Sequence, residues 1–396
     1  MLNSAQSMER FRRLSLLVLS LIAVLETGLA VPKKVTVALT ANFSAVVDTI
    51  SDPTLNYPRK AAELALEEFR SQLLAKDIDL SFQEYDYQDE KIKTLETATE
   101  IAKSDALAVI GYTNSSDALL AGPILNRAGI PFLAPSSTAD RVDDLGRFVR
   151  RVCFDDSFQG RVMADFALKQ QKVKRAVIIS VSDCAYCQSL RRAFKEKFEA
   201  EGGQVLADST ILSADTNFDE LSKTLKLLGT IDAIFVPNYE RTAARLVPQL
   251  IDAGVIPRMW LAGDGWGSSL QLFHKTVGRR SYLAFGIAHW RPEVKSPESK
   301  AFDTAFRTKY KLDPNDTAVL TYDATRLLLT ALLKSKSLSR LDLIESIENL
   351  GPFKGASGII AYKAGRRTPS KSAVLVRMQD GKLFVEKLIE ESRGRL

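Results

Sequence analysis

The chain has 396 residues, of which 45% are apolar and 26% are charged, so its composition argues against a disordered protein. It is long for a single core, and two domains are expected. The net charge of +6 comes from 54 basic and 48 acidic side chains scattered along the chain, which disfavours a nucleic-acid partner.

The first 30 residues predict a secretory signal peptide. Arg12 and Arg13 precede an apolar run of about twelve residues, whereas a membrane span needs roughly twenty. Gly28 and Ala30 supply small residues before a cleavage site ahead of Val31. The alternative is an uncleaved anchor. Cleavage would leave an exported, periplasmic, soluble chain without stable membrane insertion, in an oxidising compartment.

From residue 33 onward, short β-branched runs alternate with amphipathic helical segments. The first series has the strands KVTVALT, DIDLSFQEYDY, ALAVIG and IPFLAP, and the second has RAVIIS, QVLADSTIL, DAIFVP and RMWLAG. Such alternation builds parallel sheets with helices on both faces. The predicted fold class is therefore α/β, with two doubly wound parallel-sheet lobes.

The segment FVRRVCFDDSFQG predicts a crossover between the lobes, and residues 296–350 predict three helices without intervening strands. Two strand-like pieces joined by QDGK follow near the end of the chain. The predicted division is residues 33–154 and 286–371 for the first lobe, and 155–285 and 372–396 for the second. A chain that crosses repeatedly forms a multi-strand hinge under a cleft, where small ligands commonly bind.

Hydroxyl side chains follow two strands of the first lobe. Ser115 and Ser116 lie at the expected N-cap of one helix, and Ser136, Ser137 and Thr138 lie in the same relation to the next. Hydroxyls and backbone N–H groups at neighbouring helix N-termini can bind an anion. The alternative is that these residues only cap their helices.

Carboxylates and aromatic rings occupy the corresponding turns of the second lobe. Asp156 lies in the crossover, and Asp264 follows a strand in LAGDGWGS, where glycines permit close backbone approach. A carboxylate suits an ammonium group, and Tyr186 and Tyr239 can line a cleft. Hydroxyls on one side and carboxylates on the other indicate a receptor for a zwitterion.

Cys184 and Cys187 form a C-x-x-C at a strand-to-helix turn, a pattern typical of thiol oxidoreductases. They could instead close a small structural disulfide or remain free. His274 and His289 have neither a metal-ligand spacing nor a neighbouring serine nucleophile, so surface or structural roles are expected. No catalytic residue, metal or cofactor is expected.

The order of elements and four segments resemble the type I periplasmic binding proteins, specifically the branched-chain amino-acid (Leu/Ile/Val) binding proteins of ABC transporters. The segments are IGYTNSSDALLAGPILNRAGIPFLAPSST, RRVCFDDSFQG, ERTAARLVPQLIDAG and FKGASGIIAYKAGRR. The resemblance implies that Ser115, and Ser136 with Thr138, hold the ligand carboxylate. It assigns the ligand's α-ammonium to Asp264.

The same resemblance matches Tyr186 and Tyr239 to aromatic residues that contact the ligand, and Asp156 to the crossover aspartate. The chain departs from the family in its first loop, TANFSAVVDTISDPTLN, which is longer and lacks the usual glycine. It also has Asn238 before Tyr239 and Cys187 after Tyr186, where glycine is common.

The resulting hypothesis is an exported solute-binding protein that captures an amino acid or related small carboxylate between its lobes. It would deliver this ligand to an inner-membrane ABC permease. A sensory subunit with the same fold is the alternative, and a thiol oxidoreductase using Cys184 and Cys187 is the third reading.

Overall fold

The structure is a computed structural model. It describes residues 31–44, 53–267, 273, 276–278, 280–363, 365–379 and 381–390. The predicted signal peptide, His274 and much of the long first loop lie outside the described residues.

The first sheet has five parallel strands in the order β2-β1-β3-β4-β5. They are β1 (Lys33–Ala41), β2 (Ile78–Asp86), β3 (Ala108–Gly111), β4 (Phe132–Ala134) and β5 (Val149–Arg151). The strands β3, β4 and β5 are buried along their whole length, as expected for parallel strands covered by helices on both faces.

The second sheet has seven strands in the order β14-β13-β10-β9-β8-β6-β7. They are β6 (Arg175–Val181), β7 (Gln204–Ile211), β8 (Ala233–Val236), β9 (Met259–Ala262), β10 (Leu283–Ala288), β13 (Ala373–Gln379) and β14 (Lys382–Ile389). Five parallel strands repeat the order of the first sheet, and β13 and β14 extend it as antiparallel neighbours. The short hairpin of β11 (Phe353–Gly355) and β12 (Gly358–Ile360) stands apart.

Ten α-helices lie within the described part of the chain. They are α1 (Tyr57–Leu74), α2 (Lys91–Lys103), α3 (Ser115–Arg127), α4 (Asp156–Asp165), α5 (Ala185–Ala200), α6 (Asp219–Lys226), α7 (Glu240–Asp252), α8 (Pro297–Tyr310), α9 (Asp316–Lys334) and α10 (Arg340–Glu348). None of them is long and apolar enough to cross a membrane.

The hydrophobic cores separate along the two sheets. Side chains of α8, α9 and α10 share a core with β1 and α1, so this late helical segment packs on the first sheet. Strands β13 and β14 contribute to the core of the second sheet. We call each sheet with its helices the first and the second lobe. Two doubly wound α/β lobes are thus confirmed, while the boundaries placed at residues 154, 285 and 371 stay predictions.

Candidate functional site

The candidate site lies where the carboxyl ends of the strands of both lobes meet, which is where open α/β sheets bind ligands. In the first lobe it includes the turn from β3 to α3 and the turn after β4. In the second lobe it includes the turns after β6, β8, β9 and β10. The nine residues predicted from the sequence to bind the ligand lie in these turns or in the first turn of α3, α4 or α5.

The turn from β3 to α3 is bonded to the turn after β4 and to the opposite lobe. The N-cap of α3 is Asn114, so the expectation that Ser115 and Ser116 cap this helix is wrong; they are its first two residues. The hydroxyl of Ser115 accepts a hydrogen bond from the N–H of Ala139 at 3.1 Å. The hydroxyl of Ser116 accepts one from Ala185 N–H of the second lobe at 3.2 Å.

The turn after β4 is fixed by hydrogen bonds to carbonyl groups. Ser136 Oγ donates to the carbonyl of Thr113 at 3.0 Å, and the buried Ser137 Oγ donates to that of Tyr112 at 2.8 Å. The fully buried guanidinium of Arg151 donates through Nη1 to the carbonyls of Ser137, Thr138 and Ala139. The shape of this turn therefore depends on bonds made within the first lobe.

Two carboxylates face this turn from the second lobe, the fully buried Asp156 and Asp264, whose side chain is 9% exposed. The Gln159 amide joins them, because its Nε2 donates to Asp156 Oδ1 at 2.8 Å and to Asp264 Oδ1 at 2.7 Å. Its Oε1 accepts the backbone N–H of Asp264 at 3.1 Å. Burial, and then the charge of Asp264, raise the pKa of Asp156 well above its ordinary value, opposed by the hydroxyls of Thr138 and Ser189.

Asp156 Oδ2 is buried and makes no hydrogen bond of ordinary geometry within the described residues. A buried carboxylate oxygen without a donor is costly, and a nearby second carboxylate adds repulsion. This side of the cleft is consequently short of positive charge and of hydrogen-bond donors.

His289 is a site residue that sequence reasoning did not assign to the cleft. It directly follows β10 and is 2% exposed, and its Nε2 lies 2.9 Å from Asp264 Oδ2. Its ring stacks on Phe154 with 4.0 Å between centroids. The rule that picked out Asp264, a polar residue just after a strand, could also have found His289.

Two tyrosines close the second-lobe side. The Tyr186 hydroxyl accepts the backbone N–H of Gly265 at 2.9 Å, and the Tyr186 ring lies 4.9 Å from that of Tyr239. Burial, and then the charge of Asp264, raise the pKa of both hydroxyls. A Cβ on Gly265 would come within 2.6 Å of the Tyr186 ring, so the glycine permits this approach.

The lobes also meet beside the site, at Asp140 of the first lobe. Its backbone N–H donates to Ser189 Oγ at 3.1 Å, and its carboxylate accepts the N–H and hydroxyl of Ser157, both at 2.9 Å. Arg192 Nη2 lies 3.1 Å from the same carboxylate. These contacts hold the two lobes together away from the two buried carboxylates.

Cys184 and Cys187 form a disulfide at the start of α5, on either side of the turn that presents Tyr186. Cys184 is 8% exposed and Cys187 is fully buried. The remaining cysteine, Cys153, is a buried free thiol whose pKa burial raises to about 12. Across the described residues, no group of three or more His, Cys, Asp or Glu side chains is suited to hold a metal ion.

Comparison with known proteins agrees with this geometry. A family model described as "Periplasmic binding protein" matches residues 34–382. The chain belongs to the periplasmic binding protein family. This confirms the family that the sequence resembles.

Three relatives illustrate the range of this family. The Leu/Ile/Val-binding protein homolog 3 of Brucella melitensis biotype 1 is 22% identical over 88% of this chain and 92% of its own. The leucine binding protein LivK of Thermotoga maritima superposes with a TM-score of 0.82 at 28% identity, over 91% and 99% of the two chains. A solute binding protein of R. palustris in complex with benzoate superposes with a TM-score of 0.76 at 21% identity, over 90% and 97%.

The relatives of this periplasmic binding protein are therefore solute-binding proteins of ABC transporters rather than enzymes. The family gives no support to the oxidoreductase reading of the cysteine pair. In this chain the disulfide belongs to the turn that carries Tyr186.

Proposed function

We propose that this periplasmic binding protein captures an α-amino acid between its lobes and delivers it to an inner-membrane ABC permease. Export by a signal peptide in residues 1–30 is part of the proposal. The observation that carries it is the pair of the buried Asp156 and the nearly buried Asp264, joined by Gln159, with Asp156 Oδ2 lacking a donor among the described residues. A primary ammonium has three donors and a positive charge, which are what this pair lacks.

The opposite side of the cleft suits the carboxylate of the same ligand. The 13-residue helix α3 begins at Ser115, and the first backbone N–H groups of a helix have no partner within it, so they can bind the carboxylate beside the Ser115 hydroxyl. In this proposal the Ser115 hydroxyl and the turn that holds Ser136 and Thr138 position the ligand carboxylate. Ser136 would contribute its backbone N–H, because its hydroxyl donates to the Thr113 carbonyl. Tyr186 and Tyr239 cover the ligand from the second lobe.

Charge favours an amino acid over an aromatic acid, although relatives with either ligand share the fold. Benzoate has a carboxylate and no ammonium, so it would place a third negative charge near two buried carboxylates. Like charges in a poorly solvated site repel strongly. A zwitterion instead places its carboxylate against the first lobe and its ammonium against the carboxylates of the second.

The test is a thermal-shift and calorimetric comparison of four ligands on the purified chain. L-leucine has both charged groups, isopentylamine lacks the carboxylate, 4-methylpentanoate lacks the ammonium, and benzoate is the aromatic acid. A ligand present at a hundred times its Kd stabilises the folded state by about 2.7 kcal/mol, which a thermal shift detects.

We expect stabilisation by L-leucine or by another neutral amino acid in a wider screen, and none by 4-methylpentanoate or benzoate. Tight binding of benzoate, with no binding of any amino acid, would overturn the proposal.

A further inference from the structure

The His289 ring has two nitrogens in contrasting environments. Nε2 lies 2.9 Å from Asp264 Oδ2, while Nδ1 is buried and makes no hydrogen bond within the described residues. Since a carboxylate only accepts hydrogen bonds, Nε2 carries the hydrogen of the neutral ring. Nδ1 then remains an acceptor with a free lone pair.

The backbone around His289 fixes this orientation. Its N–H and that of Trp290 donate to the carboxylate of Asp316, at 3.2 and 3.0 Å, at the start of α9. Phe154 stacks against one face of the ring. Asp264 is therefore held by two donors, Gln159 Nε2 on one oxygen and His289 Nε2 on the other.

We propose that His289 is a positioning residue for the ligand's ammonium and that protonation of its ring weakens ligand binding. The inference rests on the proposed function, because it concerns the same carboxylate, Asp264. The neutral ring orients Asp264 and leaves its negative charge for the ammonium. The imidazolium instead neutralises Asp264 and brings a positive charge next to the ammonium.

Other charged groups face the ring from the elements around it. Asp264 comes from the turn after β9, and Asp156 from α4 through Gln159. Asp316 comes from α9, and Arg291 acts on it from the adjoining chain. Burial raises the pKa of Asp316 to about 6, so this carboxyl also titrates in the range where histidines do. The experiment must separate the two groups.

Linkage gives the expected sign. If a proton on His289 weakens ligand binding, the ligand must also displace that proton. Affinity for L-leucine should therefore be lower when His289 carries a proton, and ligand binding should release that proton.

The experiment measures the Kd of L-leucine by calorimetry between about pH 7.5 and about pH 5.5, in buffers of different ionisation enthalpy. For the native chain we expect weaker binding at the lower pH, with net proton release. His289→Gln keeps an amide donor in place of Nε2–H but does not titrate, so the pH dependence left in this variant is that of Asp156 and Asp316. The native chain should show the steeper fall in affinity and the larger proton release.

His274→Gln is the matched control, because His274 and His289 are the chain's only histidines. It should keep the native pH profile. Loss of the native profile in His274→Gln, or a profile in His289→Gln as steep as the native one, would overturn the inference while leaving amino-acid binding intact.

A second measurement needs no ligand, so it separates this inference from the proposed function. Nitrogen-15 spectra of the imidazoles, with His274→Gln for assignment, should show His289 as the Nε2–H tautomer at neutral pH. Asp264→Ala should abolish this fixed tautomer. An Nδ1–H ring in the native chain would overturn the inference even if no amino acid bound.

Discussion

The two sides of the cleft differ in what their polar groups are bonded to. In the first lobe, the hydroxyls of Ser136 and Ser137 and Nη1 of Arg151 donate to carbonyl groups of the same turns. In the second lobe, Asp156 and Asp264 share one amide, and Asp156 Oδ2 has no donor within the described residues. The turns of the first lobe are thus held in place by their own hydrogen bonds, whereas the second lobe carries negative charge that a ligand ammonium can neutralise.

The largest effect is expected from Asp264→Ala, which removes the charge proposed to bind the ammonium. We expect affinity for the amino acid to fall by about 2 to 5 kcal/mol, because the buried ammonium loses its partner. Calorimetry measures this loss. Asp252→Ala is the control, because Asp252 forms an exposed ion pair with Arg280 far along α7. Near-normal affinity in Asp264→Ala would show that the second lobe does not bind the ligand through charge.

Asp156→Asn should have a smaller effect, and it should raise the stability of the ligand-free chain. Its raised pKa means that the folded chain holds this proton more tightly than the unfolded chain. Stability is therefore lost as pH rises from the ordinary aspartate range toward neutrality. Removing the charge should raise the free energy of unfolding at neutral pH by on the order of 1 kcal/mol, while weakening amino-acid binding.

Denaturant unfolding at several pH values checks this prediction. Asp165→Asn is the matched control on the same helix, since Asp165 is also buried but pairs with Lys169 at 2.7 Å and Lys197 at 3.4 Å. The control should lower stability. If Asp156→Asn also lowered the free energy of unfolding at neutral pH, the inference that the second lobe holds uncompensated negative charge would be wrong.

The smallest change is expected from Cys184→Ser with Cys187→Ser, compared with Tyr186→Phe. Tyr186→Phe leaves the Gly265 N–H without its acceptor beside Asp264, which should cost affinity about 1 to 3 kcal/mol. The double serine variant removes no hydrogen-bond partner of Asp264, so its Kd should stay within about threefold of the native value. Equal losses of affinity in the two variants, measured by calorimetry, would show that the cysteines matter as much for ligand binding as Tyr186 does.

Much of the fold could be predicted from the sequence because parallel strands and their helices have distinct hydrophobic periods. The two series of strands and the three helices α8, α9 and α10 follow from those periods. Residue pattern also drew attention to the turns after the strands, since ligand sites lie beyond strand ends. The predicted roles in ligand binding remain proposals for Ser115, Ser116, Ser136, Ser137, Thr138, Asp156, Tyr186, Tyr239 and Asp264.

The partners within the site could not be predicted because they come from residues far apart in sequence. Gln159 joins Asp264 across 105 positions, and no local pattern indicates such a bond. His289 lacked a second histidine or carboxylate at a ligand spacing, so the search for metal and catalytic motifs passed over it. No local pattern indicates that the Ser137 hydroxyl is buried and donates to the Tyr112 carbonyl, and its part in ligand binding stays a prediction.

The contacts of Asp140 suggest a way to detect separation of the two lobes. Asp140 touches Ser157, Ser189 and Arg192 of the opposite lobe, beside the ligand site rather than within it. Any separation of the lobes at this point must break several of these bonds together. A pair of dyes on the outer surfaces of α3 and α5 would therefore convert lobe opening into an optical signal, without a label touching the captured molecule.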